Sequence, residues 1–321
     1  MTPALPLIAL RSFTSVERLA TELMRVGRNP GFFYLTGHEL TDSAAKPMFD
    51  LAGDFFRKTP KEEKMRFVGS GGLGYTGFRD EKLSGKGRGD LKESFYMANP
   101  KGSVSQSLPK ILDHGKEEIA EFYGKCEAIT ERLLEAFAVG LKLPQDYLSS
   151  RHKGECSRLR IISYPPVPSR DDNQQPTGDE EDIRAGGHTD YGSITLLFRQ
   201  PDDKGGLQVL LDDEHWIDIP CIKDAIVVNI ADALEFWTSG RLRSTVHRVV
   251  FPRTASENAA RLSIPFFVQP DADVLMAPMS QEGANQDEFN EVLKRKCYSS
   301  AKPLTAGEHL TQRSRATYGH Q

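Results

Sequence analysis

The 321-residue chain has only four cysteines, Cys126, Cys156, Cys221 and Cys297, widely spaced and without a CxxC pair. No disulfide framework is encoded, and the reading is free buried thiols in a reducing compartment, which places the chain in the cytoplasm. No apolar run is long enough to span a bilayer, and the opening MTPALPLIALRSF has neither the basic flank nor the apolar length of a signal peptide. Neither sign of charge dominates. Forty-one Lys and Arg oppose 45 Asp and Glu for a formal net charge of −4, so no basic field points to nucleic acid or to an anionic membrane. No internal repeat is present. These absences leave a globular protein whose expected partner is a small molecule, with the oligomeric state open.

What is present divides in texture. Residues 1–150 are helix-rich. Thr14 with Glu17 three residues on reads as a capping box ahead of VERLATELMRVG, with Gly27 as its stop. GFFYLTG reads as a short strand, Asp42 to Arg57 as a second helix, and Lys116 to Leu143 as a long amphipathic one. Residues 155–270 read as short strands separated by turns: RLRIISY, SITLLF, GLQVLL, AIVVNI, STVHRVVF and RLSIPFFV. Residues 271–321 return to helix and coil. The polar stretch PPVPSRDDNQQPTGDEEDIRAGG is too poor in apolar residues to form a core and reads as a mobile lid. The whole is expected to be a single unit, mixed α+β, in which helices buttress a β core.

Within AGGHTDYGSITLLF, His188 and Asp190 are two residues apart, so an extended backbone would project both to one face. His247 in STVHRVVF is the next candidate. Two histidines and a carboxylate on one face of a metal form the facial triad of non-haem Fe(II) oxygenases. Alone, an HxD is more often a surface turn, and a lone strand histidine is more often packed core. Arg261 and Ser263 in RLSIPFF repeat the two-residue spacing. A guanidinium in a β core requires an anion, and its planar fork matches a carboxylate, with a serine hydroxyl able to add one bond. Tyr164, closing RLRIISY, is a third possible donor.

Taken in order, GGHTDYGSITLL, the segment from GGLQVLL to STVHRVV, and RLSIPFF resemble the iron- and 2-oxoglutarate-dependent dioxygenases of the isopenicillin N synthase-like superfamily, and GFFYLTGH and DLKESFYM resemble that family's N-terminal region. The resemblance implies a double-stranded β-helix, or jelly roll. It further implies His188, Asp190 and His247 as catalytic iron ligands, and Arg261, Ser263 and Tyr164 as the 2-oxoglutarate anchor. The chemistry implied is O2-dependent decarboxylation of 2-oxoglutarate to succinate and CO2, coupled to hydroxylation, desaturation, cyclisation or ring expansion of a small molecule, with specialised metabolism as the expected setting. Two features depart from the family. Ile162 stands where many plant members have asparagine, and PRTASENAA lengthens the path from His247 to Arg261, read as an extended hairpin. By family position, Phe32 (or Phe33), Leu73, Tyr75 and Phe95 are candidate substrate contacts, with Phe78 and Tyr96 beside them.

Other signals have plainer readings. GSGGLG, with Gly69, Gly71 and Gly74, matches a dinucleotide fingerprint but lacks the flanking strand and helix, so it reads as a loop near the mouth. Lys86 and Arg88 read as solvated loop, His215 as a hairpin turn, and GDEED as a solvated run. Two rival functions stay open: an iron oxidase of this fold that does not use 2-oxoglutarate, and a jelly-roll binding protein without turnover.

Overall fold

The computed structural model describes residues 5–69, 72–81, 83, 89–166, 183–211, 215–251, 254, 257–279, 286–298 and 300–318. In chain order these form β1 (Leu7–Ala9), α1 (Val16–Arg28), β2 (Phe32–Thr36), α2 (Asp42–Lys58), α3 (Lys61–Met65), β3 (Gly74–Thr76), β4 (Glu93–Met97), α4 (Lys110–His114) and α5 (Lys116–Gly140). There follow β5 (Arg158–Tyr164), β6 (Ile183–His188), β7 (Ile194–Arg199), β8 (Leu207–Leu211), β9 (His215–Asp218), β10 (Ile226–Ile230), α6 (Asp232–Trp237), β11 (His247–Val250) and β12 (Arg261–Val268). The chain closes with β13 (Leu275–Met276), α7 (Gln286–Arg295), β14 (Leu304–Thr305) and α8 (Ala306–Tyr318).

Eight strands form the large sheet in the order β1-β2-β10-β7-β12-β5-β4-β3, and four form the small sheet, β6-β11-β8-β9. Alternation along the large sheet's strands explains the layering. Phe33 and Leu35 of β2, Ile194, Leu196 and Phe198 of β7, and Leu262, Ile264 and Phe266 of β12 join the core formed with α1, α2 and α5. Their neighbours point the other way. Phe32, Tyr34 and Val227 instead pack with Leu207 and Val209 of the small sheet. Side chains of a strand alternate between faces, so every second position faces the interior of the roll, and there the apolar rule is relaxed. Thr195 and Arg199 of β7, Arg261 and Ser263 of β12, and Arg160 of β5 lie on that inner face.

The structure corrects several expectations. The side chain capping α1 is Ser15, accepting from Arg18 N at 3.4 Å, and not Thr14. Gly27 does not stop this helix. It lies inside α1, where an added Cβ would come within 2.9 Å of Leu242 and 3.1 Å of Phe137, so close packing explains the glycine. β11 and β12 are not hairpin partners either: β11 pairs with β6 and β8, whereas β12 pairs with β5 and β7, so the chain changes sheets between these two strands. His215 begins β9, opposite Leu211, instead of forming a turn. All four cysteines are free, but only Cys126 is buried. The segment 167–182, Gly71, Lys86 and Arg88 lie outside the described residues. Among the described residues no helix is long and apolar enough to cross a membrane.

Candidate active site

Strand pairing brings the histidines together. β6 ends at His188, β11 begins at His247, and the two residues are direct partners in the register. Their rings are 4.3 Å apart. Asp190, in the turn leading to β7, places Oδ1 3.8 Å from His188 Nε2 and 3.7 Å from His247 Nε2. One ligand atom from each residue thus lies within 4.8 Å of the other two.

The other end of each side chain sets its orientation. Asp190 Oδ2 accepts hydrogen bonds from Thr195 Oγ1 at 2.6 Å and Asn229 Nδ2 at 2.8 Å, leaving Oδ1 turned to the histidines. His188 Nδ1 lies 2.7 Å from the Gly186 carbonyl, a contact that needs the proton on Nδ1 and frees the Nε2 lone pair. Burial, aided by the neighbouring His247, pushes the His188 pKa down to about 4, so the ring is neutral near pH 7. At Asp190 burial acts to raise the pKa. The two histidines and the bonds from Thr195 and Asn229 outweigh it and hold the carboxyl below its ordinary range. Two imidazole nitrogens and an ionised carboxylate oxygen, converging in a cavity, are a donor set that fits Fe(II).

A buried ionic cluster braces this turn from behind. Thr189, between His188 and Asp190, donates to Asp232 Oδ2 at 3.1 Å. Asp232 Oδ1 is met by Lys296 Nζ at 2.5 Å and Ser244 Oγ at 2.7 Å, and Arg313 Nε reaches Oδ2 at 2.7 Å. Lys296 also donates to Thr189 Oγ1 at 2.8 Å. The C-terminal segment therefore places two cations directly behind the candidate metal ligands.

Across the cavity, Arg261 and Ser263 share the inner face of β12, and Arg261 is the register partner of Tyr164. The guanidinium carbon lies 4.8 Å from the centre of the Tyr164 ring. Burial pushes the Tyr164 pKa up to about 12, so its hydroxyl stays protonated and able to donate. Arg261 Nη1 donates to Asp203 Oδ1 at 3.1 Å, while its Nε is buried without a hydrogen-bond partner. Gly206 backs this side chain with φ +93°, and an added Cβ would sit 3.3 Å from both Nη atoms.

The cavity joining these groups measures about 690 Å³ including its mouth. Its remaining wall includes Phe32, Lys92, Arg160, Ile162 and Phe267. Arg160 Nη2 donates to Glu81 Oε2 and Ser94 Oγ, both at 2.7 Å, and Lys92 pairs with Glu81 at 2.8 Å and with Asp90. Of the four proposed substrate contacts, the structure places Phe32 in the wall, with its ring edge-on to His247 at 5.3 Å. The other three lie outside this wall. Phe95 is buried on the outer face of β4 against Phe55, and Tyr75 turns the same way to donate to Glu93 Oε2 at 2.7 Å. Leu73 precedes β3 and does not line this cavity. Phe33 belongs to the helix-side core and Phe78 is exposed. Reading the residues missed Thr195, Asn229, Arg199 and Asp203. The available signal was a threonine and an arginine at alternate positions of the apolar run SITLLFR.

A family model described as 2OG-Fe(II) oxygenase superfamily matches residues 153–270, and one described as non-haem dioxygenase in morphine synthesis N-terminal matches residues 5–114. The proline hydroxylase buaE of Petromyces alliaceus is 34% identical, over 83% of this chain and 84% of its own. The chain belongs to the 2OG-Fe(II) oxygenase superfamily. It is accordingly a non-haem iron, 2-oxoglutarate-dependent dioxygenase with a jelly-roll core. The UPF0676 protein C1494.01 of Schizosaccharomyces pombe is 37% identical, covering 93% of this chain and 88% of that one. A 1-aminocyclopropane-1-carboxylate oxidase of rice is 30% identical over 86% and 82% of the two chains. A full-length Neurospora crassa protein, solved in complex with alpha-KG and thymine, superposes with a TM-score of 0.80 at 27% identity, covering 98% of this chain and 97% of that one.

Proposed function

We propose that this oxygenase hydroxylates a small polar molecule, with His188, Asp190 and His247 holding Fe(II) and with Arg261, Ser263 and Tyr164 receiving the distal carboxylate of 2-oxoglutarate. The observation that carries the reading is the pairing, in one cavity, of three converging metal-donor atoms with a buried guanidinium that has an unfilled N–H. Iron held by His188, Asp190 and His247 would supply a Lewis-acidic, redox-active centre. The chain's own part is to orient. Thr195 and Asn229 fix the carboxylate, the Gly186 carbonyl fixes the His188 tautomer, and Phe32 limits rotation of His247.

The substrate class follows from the wall. Lys92 and Arg160, both paired with carboxylates, and the ring of Phe267 suit a compact molecule with hydrogen-bonding edges better than an extended hydrocarbon. Relatives that act on proline or bind thymine are consistent with that size. The proposed setting is specialised metabolism in the cytoplasm, with residues 1–150, 155–270 and 271–321 acting as one unit.

An anaerobic titration with Fe(II) and then 2-oxoglutarate tests the reading, followed by exposure to O2 with succinate as readout. A visible charge-transfer band and slow succinate release without substrate are expected. The second reading is an iron oxidase of this fold that does not use 2-oxoglutarate, in which the unfilled Arg261 N–H would meet a substrate carboxylate instead. Iron binding with neither band nor succinate would select it, and no iron binding would leave only a binding protein.

A further inference from the structure

Among the described residues, the charge around the proposed 2-oxoglutarate anchor is not balanced. Asp203 is almost fully buried and bridges two guanidiniums: Arg199 Nε donates to its Oδ2 at 2.8 Å, and Arg261 Nη1 to its Oδ1 at 3.1 Å. A third guanidinium, Arg184, is buried nearby. Burial and then the charge of Arg261 push its pKa down to about 10. Among the described residues, two cations thus contact this carboxylate and a third lies buried nearby. Burial alone would raise the Asp203 pKa, but Arg199 and Arg261 hold it below the usual carboxylate range, so that one negative charge is already committed. The neighbouring group is different, since among the described residues Arg160 and Lys92 there meet Glu81 and Asp90, two against two.

The excess has a direction. Arg199 lies on the inner face of β7 and is the register partner of Ser263, so their side chains rise side by side into the cavity. Its Nε is used by Asp203 and its Nη1 by the Ile219 carbonyl at 2.6 Å. Its Nη2 is buried without a partner, as is Arg261 Nε. An unsatisfied buried N–H on a cation is costly and calls for an anion.

We propose that Arg199 is a second co-substrate anchor, its free Nη2 meeting the carboxylate that Arg261 and Ser263 receive, so that this enzyme grips the distal end of 2-oxoglutarate with two guanidiniums held by one aspartate. The inference rests on the anchor role proposed for Arg261. It also explains why Arg199 stands on the inner face beyond Thr195 and Leu197, where an apolar residue would otherwise complete the wall.

The test compares 2-oxoglutarate with 2-oxovalerate, which keeps the oxo acid but ends in a methyl group. Binding to Mn(II)-loaded protein is measured by calorimetry without O2, in wild type, Arg199→Gln, Arg199→Lys and Arg261→Gln. Arg199→Gln is expected to weaken 2-oxoglutarate by about 10- to 100-fold, the range for one charge-assisted bond, while changing 2-oxovalerate less than about twofold. Arg199→Lys keeps the charge but not the fork, and is expected to recover part of the loss; it also serves if Arg199→Gln does not fold. Equal weakening of both ligands would overturn the proposal, because Arg199 would then act only through Asp203 and the fold. If Arg199→Gln is selective for 2-oxoglutarate but Arg261→Gln is not, the anchor reading of Arg261 fails while that of Arg199 stands. If wild type binds the two ligands equally, both fall.

Discussion

The two ends of the cavity are opposite in chemistry. At the His188, Asp190 and His247 end, hydrogen bonds from Thr195 and Asn229 and to Gly186 leave acceptor atoms facing inward. At the Arg261 end the described residues supply more donors than acceptors, and buried nitrogens of Arg184, Arg199 and Arg261 are left without a partner. One end is short of a cation and the other of an anion. Under the proposed assignment iron would answer the first need and the distal carboxylate of 2-oxoglutarate the second, so the two ends of the cavity would hold the two ends of one co-substrate.

The contrast is broken most severely by removing the proposed cation end. Asp190→Ala takes away the only carboxylate of the three converging groups. Fe(II) affinity is expected to fall by more than about 100-fold, beyond the loss typical when only an outer partner of a ligand is removed. Anaerobic titration with metal analysis measures it; 2-oxovalerate would then also lose its metal-dependent binding, whereas the Arg199 variants should keep theirs. Unchanged iron affinity would remove Asp190 from the proposed ligand set.

The brace behind the metal end differs from the anion corner because its charges are matched by partners within the protein. Lys296→Met leaves Asp232 with one cation fewer in a fully buried site, and a loss of about 3 kcal/mol in denaturant unfolding is expected. The same segment gives a pH signature. Burial pushes His309 down to about 4 in the folded state, against an ordinary value of 6.5. The unfolded chain therefore takes up the proton first. This contribution to stability is fully present above about pH 6.5 and is lost as pH falls toward 4, a change of about 3 kcal/mol. Stability of His309→Phe should depend less steeply on pH across that window, and an identical slope would assign the acid sensitivity elsewhere.

A smaller change sharpens the cation end without deleting a ligand. Asn229→Ala leaves Asp190 Oδ2 with Thr195 as its remaining side-chain donor, so the carboxylate is oriented less firmly. Iron affinity is expected to fall by about 10-fold. If thermal stability of the metal-free protein drops while iron affinity holds, Asn229 is a structural residue.

Legibility from sequence followed the same division. HxD and RxS are both local patterns; RxS lies on one strand, where a two-residue spacing states its own geometry, whereas Asp190 lies in the turn past the end of β6 and its approach to the histidines is set by Thr195 and Asn229. Which face of a strand turns inward is less legible when aromatics are adjacent. In ESFYM both Phe95 and Tyr96 are plausible wall residues, and only the pairing of β4 with β5 and the packing of Phe95 on Phe55 decide that Phe95 faces the helices. The brace was invisible because Asp232 meets partners 64 and 81 residues away, a separation over which no periodicity carries information. Asp203 was hidden for a different reason, since it lies between strands and only the fold shows that it bridges two of them.

The mildest perturbation acts on the anion end through the backbone. Gly206 has a positive φ, which disfavours any other residue, and its Cα backs the Arg261 fork closely enough that an added methyl group would lie 3.3 Å from both terminal nitrogens. The same methyl group would also lie 3.0 Å from the Val250 carbonyl, so Gly206→Ala should press the guanidinium and the end of β11 without removing a charge. The expected outcome is a several-fold higher KM for 2-oxoglutarate, a small loss of stability of about 1 kcal/mol, and unchanged Fe(II) affinity. Because the substitution touches neither Asp190 nor the histidines, a matching loss of iron affinity would mean that the two ends are mechanically coupled through β8 and β11, which pair directly beside His247. Unchanged KM would mean that the Arg261 fork tolerates displacement, and that Arg199 and Ser263 carry most of the grip.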